Sequence, residues 1–305
     1  MLHNMDYIIG IDGGGTKTVG MLATKDGKTI AKTQTGPSNY HVVGIEQTKN
    51  VLTEIITQLK LKVPNSDLDS IRCCIGMAGL GRDEDREIIG HICDEIGINN
   101  RILTHDAHIG LVGGTGKQSG VIIISGTGSI VYGINEHGKE ARAGGWGYIL
   151  GDEGSGYDIA VKGLQAVARA ADKREPATQI TQLILKRLAL NEPNDLIRWT
   201  HAASRDEIAQ LASVVFVAAE IKDTKAEKII DSAMSEFACA VETVVMQLEF
   251  SHPFDIVFSG GILLHQPILT DKLQRWIEKI IIGSSVIIPK HEPAYGAVLL
   301  AKAHL

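Results

Sequence analysis

Cysteine is scarce in this sequence, long apolar runs are missing, and charge of one sign never accumulates. Four of the 305 residues are cysteines (Cys73, Cys74, Cys93 and Cys239), none belongs to a CxxC pair, and three lie inside apolar strand-like or helix-like segments. That usage predicts buried thiols. No window approaches the roughly 18 uninterrupted apolar residues of a membrane span, and the opening MLHNMDYIIGIDGGG has no basic segment followed by a long apolar one. A cytoplasmic protein without a membrane partner is therefore expected. The net charge of −6 is spread without a run of like charges, so no nucleic-acid partner is expected either. Among the eleven histidines, His105 and His108 have a spacing that could share a metal, but no third ligand stands nearby.

Glycine, by contrast, is plentiful: 33 residues, gathered in short runs beside β-branched segments. The length suits two domains. Segments 7–11, 19–23 and 29–33 read as three antiparallel strands, the last two joined by the turn Lys25-Asp26-Gly27-Lys28. A helix over 45–61, a strand over 71–77, a helix over 82–96 and a short strand over 102–104 follow from the apolar spacing. The pattern then restarts, with strands at 121–124 and 130–134 around SGTGS and a turn at 136–139. Helical periodicity fills much of 155–250; a strand at 256–258, the turn SGG, a helix, a strand at 286–288 and a helix from Ala294 complete the chain. The expected fold is α/β, an internal duplication of βββαβα units.

Glycines between strands let backbone amides approach an anion, because no Cβ stands in the way. Two such loops, 13–18 and 126–129, carry hydroxyls at matching places in Thr16 and Thr127, and together they would grip a polyphosphate. Each alone also reads as a plain turn. The segment GLVGGTGKQ is not a Walker loop, because Leu111 replaces its first glycine and Gln118 its Ser or Thr. No strand is followed by the dinucleotide motif GxGxxG. Asp12, directly before the first glycines, is placed to hold a hydrated Mg²⁺ or to start an Asx-turn.

The blocks IGIDGGGTKT, THDAHIG, IISGTGSI, GGWGYILGDEGSG, VFSGGIL and EPAYGAVLLA run in order from residue 8 to residue 301. In that order they resemble the N-acetylglucosamine kinases of the BadF/BadG-type ATPase family, most specifically in the GGWG…GDEGS block. The resemblance implies two RNase H-like, actin/hexokinase-like lobes flanking a nucleotide cleft. We place an N-terminal lobe at 1–118, a C-terminal lobe at 119–292, and a C-terminal helix at 293–305 that returns to the first lobe. Carried over by position, Gly14, Gly15, Thr16 and Lys17 with Gly126 and Thr127 look like the phosphate clamps. Gly260 and Gly261 resemble the turn near adenosine, with Ala219 beside it. Asp106 resembles the catalytic base, and Asn39, Asp106, Ser129, Gly145, Trp146, Gly147 and Asp152 look like sugar contacts. ATP with Mg²⁺ (held by Asp12 through water), an amino sugar and a second copy of the chain in a homodimer are the implied partners.

Phosphoryl transfer to an alcohol needs a carboxylate to take the proton, and Asp106, after a short strand and before a helix-like segment, is so placed. It also reads as a helix N-cap. Asp152 stands before a helix expected to begin near Gly154; its free lone pairs would accept sugar hydroxyls, or it too would be a cap. Trp146 reads as a loop platform or as core, and Asn39 on composition is a turn residue. Within amino sugars, N-acetylglucosamine is the expected substrate, with glucosamine and N-acetylmuramic acid as alternatives. Two other readings compete. Activators of acyl-CoA dehydratases resemble this chain but need cysteine ligands for an iron–sulfur cluster, and neither the second glycine loop nor GDEGSG contains one. A sugar-sensing regulator would carry a helix-turn-helix before the first strand, where six residues precede Tyr7.

Overall fold

The computed structural model describes residues 7–304, which cluster into two compact units. The first holds the described residues up to Ile122, Glu136–Gly138 and the stretch from Ile287 onward, so 287–292 cluster with it together with the last helix. Its elements are β1 (Tyr7–Gly13), β2 (Thr18–Thr24), β3 (Thr29–Thr35), α1 (Tyr40–Val43), α2 (Ile45–Lys60), β4 (Ile71–Met77), α3 (Asp83–Glu95), β5 (Arg101–His105) and α4 (Asp106–Thr115). The sheet order is β3-β2-β1-β4-β5, with β1 antiparallel to β2 and parallel to β4. Ile9, Ile11, Leu22 and Ile75 from the sheet meet Leu52, Ile55 and Leu59 of α2 and Ile89 and Ile92 of α3 in one buried cluster. Each such side chain contributes about 1.5–3 kcal/mol by leaving water.

The second unit contains Ile123–Asn135 and Lys139–Val286. Its sheet is built from β6 (Gly120–Ser125), β7 (Ser129–Ile134), β8 (Glu140–Gly144), β9 (Phe254–Ser259) and β10 (Ser284–Ile287) in the order β8-β7-β6-β9-β10. That order repeats the first sheet, strand for strand, as a duplication requires. Helices α5 (Gly156–Ala171), α6 (Gln179–Leu188), α7 (Asp195–Ala202), α8 (Arg205–Gln210), α9 (Ala212–Glu220), α10 (Thr224–Leu248), α11 (Gly261–His265) and α12 (Pro267–Ile280) complete it, and α13 (Pro293–Ala303) ends the chain in the first unit. The fold is thus α/β with two mixed five-stranded sheets.

The helix expected near Gly154 starts at Gly156, where the Ser155 side chain accepts from the Asp158 amide and caps it. One local expectation is corrected. Cys239 is exposed, unlike the other three thiols. The buried positions in the second half of α10 include Phe237, Val241, Val244 and Leu248, and a residue two places after Phe237 turns to the opposite face of a 3.6-residue helix.

Glycine positions α4. In α13, a Cβ on Gly296 would lie 1.9 Å from the Ile109 carbonyl oxygen, and one on Gly113 in α4 would lie 2.8 Å from that of Glu292. The α4 and α13 backbones therefore touch, and the first residue of α4, Asp106, is seated by that contact.

Candidate functional site

The first unit gathers its proposed site residues around the end of β1. The Gly14 amide donates to the Lys17 carbonyl at 3.0 Å and closes the glycine turn. The Gly14 carbonyl accepts from the amides of Ser38 (3.1 Å) and Asn39 (3.2 Å), which ties the Asn39 turn to the glycine loop. Asn39 itself caps α1, its side chain accepting from the His41 amide at 3.1 Å. Gly15, Thr16 and Lys17 are exposed.

Asp12 and Asp106 are both half-buried, and the charge of Asp106 acts on Asp12. Burial pushes Asp12 up to about 7; the negative charges of Asp106 and Glu292 add to the rise, and Lys17 opposes it. Asp106 is also raised by burial, against the pull of hydrogen bonds from its own and the Ala107 amide, the latter at 2.9 Å. The cap of α4 is His105, whose Nδ1 accepts from the His108 amide at 3.3 Å. Asp106 therefore occupies the first helical position, with a carboxylate oxygen not consumed by capping.

The second unit brings Gly126–Ser129, 145–147 and Asp152 together. The Gly126 carbonyl accepts from the Gly156 amide at 2.8 Å, and the Ser125 hydroxyl donates to the Gly154 carbonyl at 3.0 Å, so the loop is anchored on the start of α5. Ser129 donates through its hydroxyl to the Glu153 carbonyl at 2.7 Å, and its carbonyl accepts from the Gly145 amide at 3.1 Å. Gly145 and Gly147 have φ of 72° and 83°, angles that favour glycine. They hold Trp146 out, 62% exposed, with the Arg142 guanidinium 5.1 Å from its ring centre. An exposed ring does not fit the core reading of Trp146.

Asp152 differs from the expectation of free lone pairs. Its backbone has φ 63°, its side chain is buried, and its carboxylate accepts from Arg205 Nη2 at 2.7 Å and from the Ser129 amide at 3.4 Å. Burial raises its pKa, while Ser129 and Arg205 oppose the rise and Glu153 adds to it. It is no cap, since Ser155 performs that task.

Gly260 sits at φ 85°, and a Cβ there would lie 2.3 Å from the Ser125 carbonyl oxygen; no other residue fits this turn. Gly261 opens α11 with open space where a Cβ would go. Ala219 lies in α9 and is 1% exposed.

Four residues with a part in this arrangement were not singled out from sequence. Glu292, quoted within EPAYGAV, sets the charge around Asp12. Arg205 pairs with Asp152, Asp206 accepts from the Thr127 hydroxyl at 2.9 Å, and Tyr148 lies 5.0 Å from the Arg205 guanidinium. Only the capping box Ser204-x-x-Glu207 marked the start of α8 in the sequence, and it reports a helix end, not a site.

Comparison with known proteins agrees with these blocks. The model of the BadF/BadG/BcrA/BcrD ATPase family matches residues 9–301. An N-acetylmuramic acid/N-acetylglucosamine kinase of Clostridium acetobutylicum is 37% identical over 98% of this chain and 99% of its own. An N-acetyl-D-glucosamine kinase of Dictyostelium discoideum is 33% identical over 97% of this chain and 98% of its own. A crystal structure of an N-acetylglucosamine kinase candidate from Chromobacterium violaceum superposes with a TM-score of 0.78 at 26% identity, covering 98% of this chain and 99% of that one.

Proposed function

We propose that this chain, which belongs to the BadF/BadG/BcrA/BcrD ATPase family, is an ATP-dependent amino-sugar kinase that converts N-acetylglucosamine to its 6-phosphate. The observation that carries the reading is the near full-length likeness to two kinases named for N-acetylated amino sugars, joined to a half-buried Asp106 carboxylate at the start of α4. Asp106 takes the proton of the sugar hydroxyl as that oxygen bonds to the γ-phosphorus; the bond from the γ-phosphorus to the bridging oxygen breaks, and ADP leaves. A carboxylate raised by burial is a better proton acceptor than an ordinary one. The glycine loops 14–17 and 126–127 and the turn at Gly260 and Gly261 hold ATP. Asn39, Asp106, Ser129, Gly145, Trp146, Gly147 and Asp152 hold the sugar, Trp146 offering its ring face.

Magnesium fits the first unit. Asp12 is a hard oxygen donor whose ionised form is disfavoured by two neighbouring carboxylates, a field that a divalent cation would reverse. Bound there through water, it would neutralise phosphate charge. Cytoplasmic location and a homodimer belong to the same proposal, the latter checked by gel filtration.

The test is a sugar panel with purified protein, ATP and magnesium, scored by ADP release, with phosphorus NMR to place the phosphate. Sugar-dependent ADP formation that is highest with N-acetylglucosamine and is abolished by EDTA supports the reading. N-acetylmuramic acid turned over faster would favour the second substrate in the clostridial relative's name. ADP formation indifferent to every sugar would sink the kinase assignment.

A further inference from the structure

Arg205 and Asp206 are consecutive residues at the start of α8, and each grips a different loop of the second unit. Arg205 Nη2 reaches Asp152 Oδ2 at 2.7 Å, and Asp206 Oδ1 accepts from the Thr127 hydroxyl at 2.9 Å. The two grips are adjacent: a Cβ on Gly128 would come within 2.9 Å of Asp152 Oδ2 and 3.0 Å of Arg205 Nη2, so the ion pair lies directly against the Gly126–Ser129 loop. The guanidinium is further set by the Tyr148 ring, 5.0 Å away, on the loop that carries Trp146. Its Nε is buried and has no hydrogen-bond partner among the described residues.

We infer that Arg205 and Asp206 are positioning residues of the proposed reaction: Arg205 keeps the Asp152 carboxylate charged and aimed as a hydroxyl acceptor, and Asp206 orients Thr127 toward phosphate. One helical turn thereby sets both the sugar loop and the second phosphate loop. The inference rests on the reading of Asp152 as a sugar ligand. A carboxylate that is 4% exposed takes up a proton unless an opposite charge faces it, and once protonated it no longer offers two acceptor oxygens. The groups acting on Asp152 are Arg205 and the Ser129 amide, which favour its charge, and Glu153, which opposes it. Arg205 is the cation in that set, and its removal leaves the Ser129 amide alone against burial and Glu153, which favour protonation of Asp152.

Calorimetric titration of N-acetylglucosamine into the full chain from pH 6.0 to 8.5 tests the first half. The parent should bind with nearly constant affinity. Arg205→Met should bind at least about tenfold more weakly at pH 6.0 and recover toward pH 8.5, with kcat at saturating sugar within about threefold of the parent; Arg205→Lys should restore the flat profile. Asp206→Ala tests the second half: the KM for ATP should rise about fivefold or more while sugar affinity holds. If Arg205→Met is weaker by the same factor at every pH and Arg205→Lys does not rescue it, the arginine is merely structural; if it binds as the parent does throughout, it has no role. An unchanged KM for ATP in Asp206→Ala overturns the second half. Asp152→Asn separates the two levels, since parental sugar binding there would mean that Asp152 is no ligand, whatever Arg205 does. Should Arg205→Met not fold, Arg205→Gln is read by the same outcomes.

Discussion

At the scale of single residues, the proposed chemistry falls on two carboxylates, Asp106 and Asp12, and each role has its own test. His105 caps α4, so Asp106→Asn removes a proton acceptor and keeps an oxygen for the Ala107 amide. We expect normal folding, a Tm within a few degrees of the parent, and a loss of at least about a hundredfold in kcat; early melting with parental turnover would restore the cap reading. Asp12 makes a prediction about stability. Its folded-state pKa of about 7 lies above the ordinary 3.8, so the folded chain holds a proton that the unfolded chain has lost over that interval. The Asp12 contribution to stability is therefore full below about pH 4 and is lost as pH rises through about 7. In metal-free buffer, Asp12→Asn should gain in Tm relative to the parent between pH 4 and pH 8 while losing kinase activity; a difference that stays constant with pH would show that Asp12 titrates normally.

At the scale of elements, glycine does two different jobs that one pair of substitutions distinguishes. Gly296→Ala would force a methyl to within 1.9 Å of the Ile109 carbonyl oxygen and 2.6 Å of the Gly113 amide nitrogen. Both obstacles are backbone, so α13 must move off α4, at a cost of about 1–3 kcal/mol or more. Tm and turnover should fall together, because α4 carries Asp106. At Gly126 nothing lies within 4 Å of an added Cβ, so Gly126→Ala should melt with the parent. It should nonetheless raise the KM for ATP about tenfold if this loop approaches phosphate by its backbone. Parental ATP kinetics in that variant would remove Gly126 from the phosphate clamps.

For the whole molecule, the thiols distinguish a kinase from an iron–sulfur activator. Cys73, Cys74 and Cys93 are buried in the first unit; burial pushes the latter two up to about 12 and Cys73 well above its usual range, so none offers a thiolate to a cluster. An aromatic disulfide reagent should titrate one thiol, Cys239, in the native protein and four after denaturation; three or four reactive native thiols would contradict the buried set. The sequence by itself determined the duplicated α/β fold and the glycine loops, and it singled out Asp106 as the candidate base. Those signals are local, because strand and helix periods and the steric freedom of glycine act over a few residues. The tertiary structure decided which residue caps α4, that Asp152 is already paired, and that Glu292 weighs on Asp12. Asp152 and Arg205 are 53 residues apart, and Thr127 and Asp206 are 79. Periodicity carries no information about which side chains meet across such separations, and the field at a carboxylate is the sum of charges that only folding brings near.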